Sequence, residues 1–450
     1  MPKPYLIPTV RYFIAFRIFF NARFYYPVFT ILFLDFGLTL SQFALLNAAW
    51  AATIVVCEVP SGALADLVGR RRLIVFAATA MVVEIGLLCI VPQGGGPLLF
   101  TVFLVNRVLS GMAEAAASGA DEALAYDALK RAGHEGDWGL VLETLMRMQS
   151  IAFIAAMTIG AAVYDPSLAQ SVLGAVGYSG KVLQRDTLRL PLYLTLAMGV
   201  AAVSVSLRMK DAPPEVCLPD AGGTAPCSKS MAEAFRLTLS AGRWILNTPY
   251  ALGLIAAGML FDHVIRMVLT MNSQYYRLIH LPEASFGLIG SLMAVVGLFV
   301  PRVARRLVAR MTPEHNLWLL GGATALGLGA MALFIPYAGL LPAVLLVSVI
   351  YAANFMLSSY LNQITDSAQR ATVLSFKGLC FNLAYGAIGG LYSLLLAGIT
   401  PTGALVDGVS QADTAFVMAM PWFSPYFIVL FFLLVVIIHN RKRAGGGSAS

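Results

Sequence analysis

Long apolar runs, separated by short polar connections, dominate the pattern of the chain. A helix that crosses the hydrocarbon core of a membrane needs about 20 residues, and most of the runs have that length. A longer polar stretch separates six runs from six more, so the pattern predicts an all-α integral membrane protein with 12 transmembrane helices. The predicted spans are approximately Tyr12 to Phe36, Leu40 to Ala63, Leu73 to Val91, Leu98 to Ala123, Met146 to Tyr164, Leu188 to Leu207, Tyr250 to Met271, Phe286 to Val300, Leu317 to Ile335, Leu340 to Leu361, Leu374 to Ile399 and Ala419 to His439.

The runs predict two six-helix bundles, residues 1–207 and 248–440, joined by a cytoplasmic linker, 208–247. A basic tail, 441–450, follows and ends in a Gly/Ser-rich stretch typical of an added flexible linker. An internal repeat supports two similar halves, because Gly297 to Arg306 aligns at one constant offset with Gly62 to Arg71. Duplicated helical halves with a site between them are typical of transporters.

Composition and charge agree with a membrane protein. Hydrophobic residues make up 59% of the 450 residues and charged residues only 12%, far from the composition of a soluble domain. The net charge of +7 comes from basic residues in the short connections, which favours a topological role over nucleic-acid binding. The five cysteines are scattered without metal-ligand spacing, so we expect no disulfide frame, metal site or cofactor.

The basic connections also predict the orientation. They lie on the side that both termini share, whereas the opposite side carries Asp35, Arg277, Glu283 and Asp413 without a basic excess. Basic residues collect on the cytoplasmic side of membrane proteins. We therefore expect a multi-pass protein of a bacterial inner (cytoplasmic) membrane, with both termini in the cytoplasm.

The stretch from Glu58 to Arg72 carries the most specific motif, Glu-Val-Pro-Ser-Gly-Ala-Leu-Ala-Asp-Leu-Val-Gly-Arg-Arg-Arg. Its arginines cannot lie in hydrocarbon, so we expect a short hydrophilic loop at a membrane face. The stretch resembles the signature loop between the second and third helices of the major facilitator superfamily, except that Leu67 replaces an arginine. The resemblance implies a fold of two pseudo-symmetric bundles and a cytoplasmic gate. We assign to this gate Glu58, Gly62, Asp66, Gly69, Arg70, Arg71, Asp121 and Asp127.

Ionisable residues within the predicted spans are the candidates for function, because charge at membrane depth is costly and persists where it faces a cavity or a partner. In the fourth span Arg107, Gly111, Glu114, Ser118 and Asp121 recur every three or four residues and predict one continuous polar stripe. Arg107 and Gly111 resemble a superfamily pattern associated with proton coupling. Glu114 is the predicted proton carrier, opposed by Arg107. A structural ion pair is the alternative.

The first and seventh spans occupy corresponding places in the two halves, and in the superfamily such helices line the cavity. Asp262 and His263 join Arg107 and Glu114 as candidates for proton coupling, since Asp262 can pair with Arg266 one turn on and His263 titrates near neutral pH. Snorkelling of Arg17 and a structural bridge from Asp262 to Arg266 are the alternatives. The predicted substrate cavity contains Arg17, Asn21, Arg23, Arg266, Asn354 and Asn382.

No enzyme motif competes with the transporter interpretation, and no nucleotide site is present to supply energy. We therefore expect a monomeric secondary transporter that works by alternating access, with membrane lipid, protons and a small-molecule solute as its partners. Sodium is an alternative coupling ion. Proton-driven export of an amphipathic or zwitterionic compound is favoured over uptake of an anionic metabolite or metal chelate. A non-transporting membrane receptor or scaffold is the alternative from another class.

Overall fold

The described part of the chain is helical and contains no strand. The computed structural model describes residues 3–210, 236, 239–240, 242–243, 245–364, 367–399 and 411–446. The predicted all-α membrane fold is confirmed. In chain order the α-helices are α1 Pro8–Asn21, α2 Phe29–Phe36, α3 Leu40–Val68, α4 Arg70–Ile90, α5 Pro97–Ala117, α6 Ala120–Arg131, α7 Trp138–Tyr164, α8 Pro166–Ala175, α9 Gln184–Thr187, α10 Leu190–Ser206, α11 Pro249–Thr270, α12 Asn272–Leu278, α13 Ser285–Arg310, α14 Pro313–Met331, α15 Leu340–Ile364, α16 Ser367–Ile399, α17 Gln411–Ala419 and α18 Phe423–Gly446.

Among the described residues, 10 helices are long and apolar enough to cross a membrane, and each matches one of the predicted spans. Two predicted spans are missing from that set. The first is divided into α1 and α2, and the ninth corresponds to α14, which has 19 residues. The observed helices are therefore consistent with 12 spans, of which the first is divided into two short helices and the ninth is long enough but less apolar than the others.

The prediction of one continuous first span is wrong, because the helix stops at Asn21 and resumes at Phe29. Pro27 supplies part of the reason, since its ring removes a backbone donor and disfavours helical geometry at the residue before it. The backbone donors that the break exposes find other partners. The Phe24 amide donates to the Thr195 hydroxyl at 3.0 Å, and the Arg23 amide donates to the Asn21 carbonyl at 2.9 Å. A break at membrane depth is tolerated only with such partners.

The break also requires a glycine on the neighbouring helix α7. A Cβ atom built on Gly160 would lie 1.7 Å from the carbonyl oxygen of Phe24, which is far inside van der Waals contact. Only a residue without a side chain lets the two backbones come this close. Close packing against Phe24 therefore explains why position 160 holds a glycine, although glycine disfavours the interior of a helix.

The prediction of a hydrophilic loop from Glu58 to Arg72 is also wrong. Helix α3 continues to Val68 and α4 begins at Arg70, so the connection is the single residue Gly69. Gly69 has φ 102°, a conformation that favours glycine, and it allows the chain to turn between two helices without a loop. The arginines consequently lie on the first turn of α4.

Two compact units divide the chain. Unit 1 comprises Met1–Pro27 and Ala52–Leu237, and unit 2 comprises Val28–Ala51 and Thr238–Ser450. The core of unit 1 is rich in alanine, with Ala77, Ala78, Ala113 and Ala116 packed around Phe16, and it allows close helix packing. The predicted bundle boundaries stay a prediction, and most of the predicted linker, from 211 to 235, lies outside the described residues.

We expect Gly160→Ala to destabilise the protein, because the added methyl group collides with the Phe24 carbonyl. Overpacking of this kind costs about 1–3 kcal/mol. Gly86→Ala is the matched control, since Gly86 lies within α4 and nothing lies within 4 Å of its added Cβ. Thermal unfolding of both variants in one detergent measures the effect. Equal unfolding temperatures for the two variants would contradict the proposed contact.

Candidate functional site

The break in the first span places Arg23 inside a buried polar network of unit 1. Its Nη1 donates to Oε1 of Glu84 at 2.5 Å. The two residues are almost fully removed from solvent, with exposed fractions of 4% for Arg23 and 0% for Glu84. A buried charge of this kind is tolerated when a partner of opposite charge is held in good geometry. Glu84 therefore fixes the cation that the break exposes.

Asn106 on α5 connects this ion pair to Arg107. Its Nδ2 donates to the Glu84 carbonyl at 3.1 Å and to Glu84 Oε2 at 3.3 Å. Its Oδ1 accepts from Nε of Arg107 at 3.2 Å, and the Arg107 guanidinium also contacts the buried Tyr25 hydroxyl. The network thus holds two guanidinium groups around one carboxylate, which leaves one positive charge in excess among these residues.

Glu114 lies near this network but is not part of it. Its side chain is exposed, and no hydrogen bond or ion pair is found for it within the described part of the chain. The charged groups that act on its carboxylate are Arg23, Arg17 and Glu84. The expectation that Arg107 opposes Glu114 is therefore wrong, because Arg107 turns toward Asn106 and Tyr25 instead.

The continuous stripe predicted for the fourth span is also interrupted. Helix α5 ends at Ala117, and α6 begins at Ala120 after a turn at Gly119, whose φ is 77°. Arg107 and Gly111 are buried and Glu114 is exposed on α5, whereas Asp121 belongs to α6. The spacing of three and four residues therefore describes one helical face only as far as Glu114.

The acidic start of α6 binds Arg17, which the sequence placed in the substrate cavity. Nε of Arg17 lies 3.0 Å from Oδ2 of Asp121, and Nη2 donates to Oε1 of Glu122 at 2.8 Å. Asp121 is buried. The carboxylates at this helix start also complement the helix dipole. Arg17 is thereby fixed against α6 in unit 1.

Of the predicted gate residues, Arg70, Arg71 and Asp127 make contacts within unit 1. Arg70 forms an ion pair with Asp127, and Nη2 of Arg71 donates to the Leu207 carbonyl at 2.7 Å. Glu58 is half-buried in α3, and its buried Oε2 has no hydrogen-bond partner among the described residues.

Two further gate candidates, Gly62 and Asp66, fall within the bounds of α3. Their side chains lie outside the described set. The gate role of all these residues stays a prediction.

The seventh span places a second ionic group in unit 2. Nη2 of Arg266 lies 2.8 Å from Oδ2 of Asp262, as the spacing of four residues predicted. The same guanidinium donates to the Phe381 carbonyl at 2.9 Å and to Asn382 Oδ1 at 3.1 Å. It also lies over the Tyr385 ring at 4.3 Å, a cation–π contact. Arg266 is therefore held against α16 on several sides.

His263 is buried next to this group and contacts α18. Its Nδ1 lies 2.6 Å from the Met259 carbonyl, and its Nε2 lies 3.2 Å from the Tyr426 hydroxyl. A carbonyl only accepts hydrogen bonds, so Nδ1 carries the proton and Nε2 can accept from Tyr426 when the ring is neutral. Asn354, by contrast, is exposed on α15 and takes no part in these contacts.

Another set of contacts in unit 2 holds α2 against α12. The Arg277 guanidinium donates to both carboxylate oxygens of Asp35, at 3.0 and 2.7 Å, and to Glu283 at 3.0 Å. The Thr30 amide donates to the Ser273 hydroxyl at 3.0 Å. Two-pronged arginine–carboxylate contacts are the geometrically specific kind of ion pair. These groups lie at the end of the helices that the sequence predicts to be extracytoplasmic.

Sequence reasoning missed Glu84, Asn106, Lys377 and Tyr385 as members of these networks. Glu84 stands out in the sequence as a lone carboxylate within an apolar run. Its partner Arg23 is 61 residues away along the chain, so the sequence alone does not identify the pair. Asn106 is adjacent to Arg107 and offered no signal of its own. Lys377 is an electrostatic neighbour of Asp262, a relation that depends on how α16 packs against α11.

The chain belongs to the Major Facilitator Superfamily, whose family model matches residues 12–390. Membership indicates a secondary transporter that works by alternating access rather than an enzyme. It agrees with the resemblance seen in the signature stretch of α3 and α4. A search of curated proteins gives no match.

Solved structures of transporters share the fold. The nucleoside transporter NupG is 15% identical with a TM-score of 0.68, over 97% of this chain and 99% of that chain. A bacterial homologue of the lysosomal transporter Spinster is 14% identical with a TM-score of 0.68, over 98% of each chain. A D-xylose–proton symporter is 12% identical with a TM-score of 0.57, over 94% of this chain and 96% of that chain. At these identities the likeness shows the fold alone.

We expect Glu84→Met to destabilise the protein strongly, because it leaves Arg23 buried without a partner. Breaking a buried ion pair costs about 3–5 kcal/mol. The double variant Arg23→Met with Glu84→Met removes both charges, and we expect it to unfold at a higher temperature than the single variant. Thermal unfolding of the two variants measures this coupling. If the single and double variants lose the same amount of stability, the ion pair with Arg23 is not the reason that Glu84 stabilises the protein.

Proposed function

We propose that the protein is a proton-coupled transporter in which Glu114 carries the proton. The supporting observation is that Glu114 lies on a membrane-spanning helix, exposed, and without an ion pair in the described part of the chain. A carboxylate at membrane depth is tolerated where it faces water or binds a proton. Asp262 has an ion pair at 2.8 Å, so it is a less suitable proton carrier than Glu114.

The surroundings of Glu114 supply a coupling mechanism. Ionised Glu114 attracts Arg23 and Arg17, whereas protonated Glu114 does not. Arg23 is held by Glu84, and Arg17 is held by the acidic start of α6. Proton binding therefore removes the attraction of Glu114 for these two arginines and leaves them to Glu84 and to the acidic start of α6. A two-state element biased in this way converts a local charge change into a conformational change.

The exposed polar groups of unit 1 support a solute class. Asn21, Tyr26 and Glu114 are exposed in unit 1, and they offer an amide, a phenol and a carboxylate. A carboxylate, an aromatic ring and an amide in one unit favour a cationic or zwitterionic group with an apolar body. This supports export of an amphipathic or zwitterionic compound.

Uptake of an anionic metabolite or metal chelate is the second candidate. It is favoured by the ionic group of unit 2, in which Arg266 and Lys377 outnumber Asp262. The Arg266 side chain is 28% exposed and can bind a carboxylate or phosphate. A screen of solutes by thermal shift separates the two, because each solute that binds raises the apparent stability. Stabilisation by anions alone would favour uptake.

We expect Glu114→Gln to uncouple transport from the proton gradient, because glutamine mimics the protonated acid and cannot release a proton. In proteoliposomes loaded with a pH-sensitive dye, wild-type protein is expected to move protons when a solute from the screen is added. The variant is expected to lose this signal and to keep exchange of labelled against unlabelled solute.

Glu143→Gln is the control for this experiment, since Glu143 is an exposed carboxylate near the start of α7. It is expected to behave as wild type. Full proton movement in Glu114→Gln would contradict the role of Glu114. Binding without any flux in wild-type protein would favour a receptor.

We also expect transport to require separation of α3 from α16 in unit 2. The hydroxyls of Ser41 and Ser393 are 2.7 Å apart, so cysteines at both positions lie within reach of a disulfide. Oxidation of the double variant Ser41→Cys with Ser393→Cys is expected to stop solute exchange, and reduction is expected to restore it. The single-cysteine variants control for the native cysteines. Unchanged exchange in the cross-linked protein would show that these helices need not separate.

A further inference from the structure

Helix α13 ends in a basic stretch whose side chains have few partners within the protein. Its four arginines, all exposed, are Arg302, Arg305, Arg306 and Arg310. No carboxylate of the described residues forms an ion pair with any of them. Arg302 donates to the Leu298 carbonyl one turn back, at 3.3 Å. A row of guanidinium groups without carboxylate partners is able to bind an anion from outside the protein.

The corresponding stretch of unit 1 is held by the protein itself. The internal repeat aligns Arg305 with Arg70, which forms an ion pair with Asp127. The difference begins one residue earlier. Gly69 has φ 102° and separates α3 from α4, whereas Ala304, at the aligned position, is helical and buried. The arginines of unit 2 therefore extend one helix instead of beginning the next.

Three of the four arginines continue an exposed apolar face of α13, a membrane-spanning helix. Exposed residues recur every three or four positions, at Leu288, Leu292, Val295, Phe299, Arg302, Arg306 and Arg310. This spacing places them on one helical face, which we call the α13 stripe. Every member of the stripe before the arginines is apolar, and hydrocarbon is the medium that accommodates such a face at membrane depth. Arg305 lies about 100° around the helix from Arg306, outside the stripe.

The length of α13 places the arginines at the headgroup layer of the membrane. The helix begins at Ser285, two residues after Glu283, a member of the ionic group at the predicted extracytoplasmic end. Arg302 lies 17 residues further on, at about 26 Å, and Arg310 lies 25 residues on, at about 38 Å. The hydrocarbon core is about 30 Å thick, or about 40–45 Å with its headgroup layers. The arginines therefore begin at the edge of the hydrocarbon and reach the depth of the lipid phosphates.

Guanidinium groups one turn apart suit the headgroup of an anionic phospholipid. Arg302, Arg306 and Arg310 are each separated by four residues, about 6 Å along the helix, so neighbouring side chains can bind the same phosphate. Basic residues at the end of a membrane-spanning helix attract anionic lipids. A soluble anion would use the charges of the stripe but not its apolar part.

We propose that the end of α13 is a docking site for an anionic phospholipid. The phosphate lies between Arg302, Arg306 and Arg310, and an acyl chain extends along the apolar part of the stripe past Phe299. The lipid supplies the anion that a carboxylate supplies to the aligned arginine of unit 1. The site is separate from Glu114, and the inference stands without the proposed proton coupling.

A fluorescent reporter at position 299 detects the lipid next to the arginines. Phe299 is exposed on the stripe and aromatic, so Phe299→Trp fits the site and keeps a ring beside Arg302. The full chain is reconstituted in phosphatidylcholine vesicles that contain a minor fraction of brominated phosphatidylglycerol or of brominated phosphatidylcholine. Bromine atoms on the acyl chains quench a tryptophan that they contact. Protein without the substitution gives the signal of the five native tryptophans, which is subtracted.

We expect brominated phosphatidylglycerol to quench the reporter more than the same fraction of brominated phosphatidylcholine. Arg306→Gln is expected to weaken binding of the anionic lipid about five-fold, the effect of one basic residue near a membrane surface. Arg305→Gln is the matched control, because it removes the same charge at nearly the same depth but outside the stripe. It is expected to change the binding far less. Arg310→Gln replaces Arg306→Gln if that variant does not fold.

Glycerol phosphate, which has a phosphate but no acyl chain, distinguishes a lipid site from a site for free phosphate. At millimolar concentration it is expected to leave the quenching unchanged. Relief of the quenching by glycerol phosphate would overturn the proposal. Equal quenching by the two brominated lipids, or equal losses of binding in Arg305→Gln and Arg306→Gln, would overturn it as well.

Discussion

A charged side chain at a break in a membrane-spanning helix needs a partner, and this constraint organises unit 1. The break exposes backbone groups as well as the Arg23 guanidinium, and hydrocarbon satisfies neither. Glu84 neutralises the guanidinium, Thr195 accepts from the Phe24 amide, and Gly160 makes room for the Phe24 carbonyl. Three different helices therefore contribute to one interruption. Close packing, a hydrogen bond and an ion pair together offset the free-energy cost of breaking the helix.

The two halves of the chain share an interruption in corresponding spans. In the first span the helix stops at Asn21 and resumes at Phe29, and in the seventh α11 and α12 are separated only at Met271. The charged groups nearby differ, since Arg23 is buried against Glu84 whereas Arg266 remains partly exposed beside Asp262. The repeat thus preserves the place of the polar site but not its chemistry. The two halves therefore offer different charged groups at corresponding places, a buried ion pair in one and a partly exposed arginine in the other.

The sequence predicted the helical spans well, because long apolar runs have few other structures available in a membrane. It also predicted the pairing of Asp262 with Arg266, which depends only on helical spacing. It failed where the outcome depends on tertiary contacts. Glu84 and Arg23 are far apart in the chain, and the turn at Gly119 divides a stripe that local periodicity describes as continuous. Arg107 turned toward Asn106 for the same reason, since the choice among buried partners is made by neighbouring helices.

The single-residue connection at Gly69 joins α3 and α4 directly, without a loop between them. A longer loop would let the ends of α3 and α4 move apart, but a single residue keeps the two helix ends next to each other. The arginines on the first turn of α4 therefore stay beside the end of α3, where Arg70 pairs with Asp127. The other end of α3, from Leu40 to Ala51, belongs to unit 2. One continuous helix thus carries the hydroxyl contact at Ser41 near its start and ends one residue before the basic cluster.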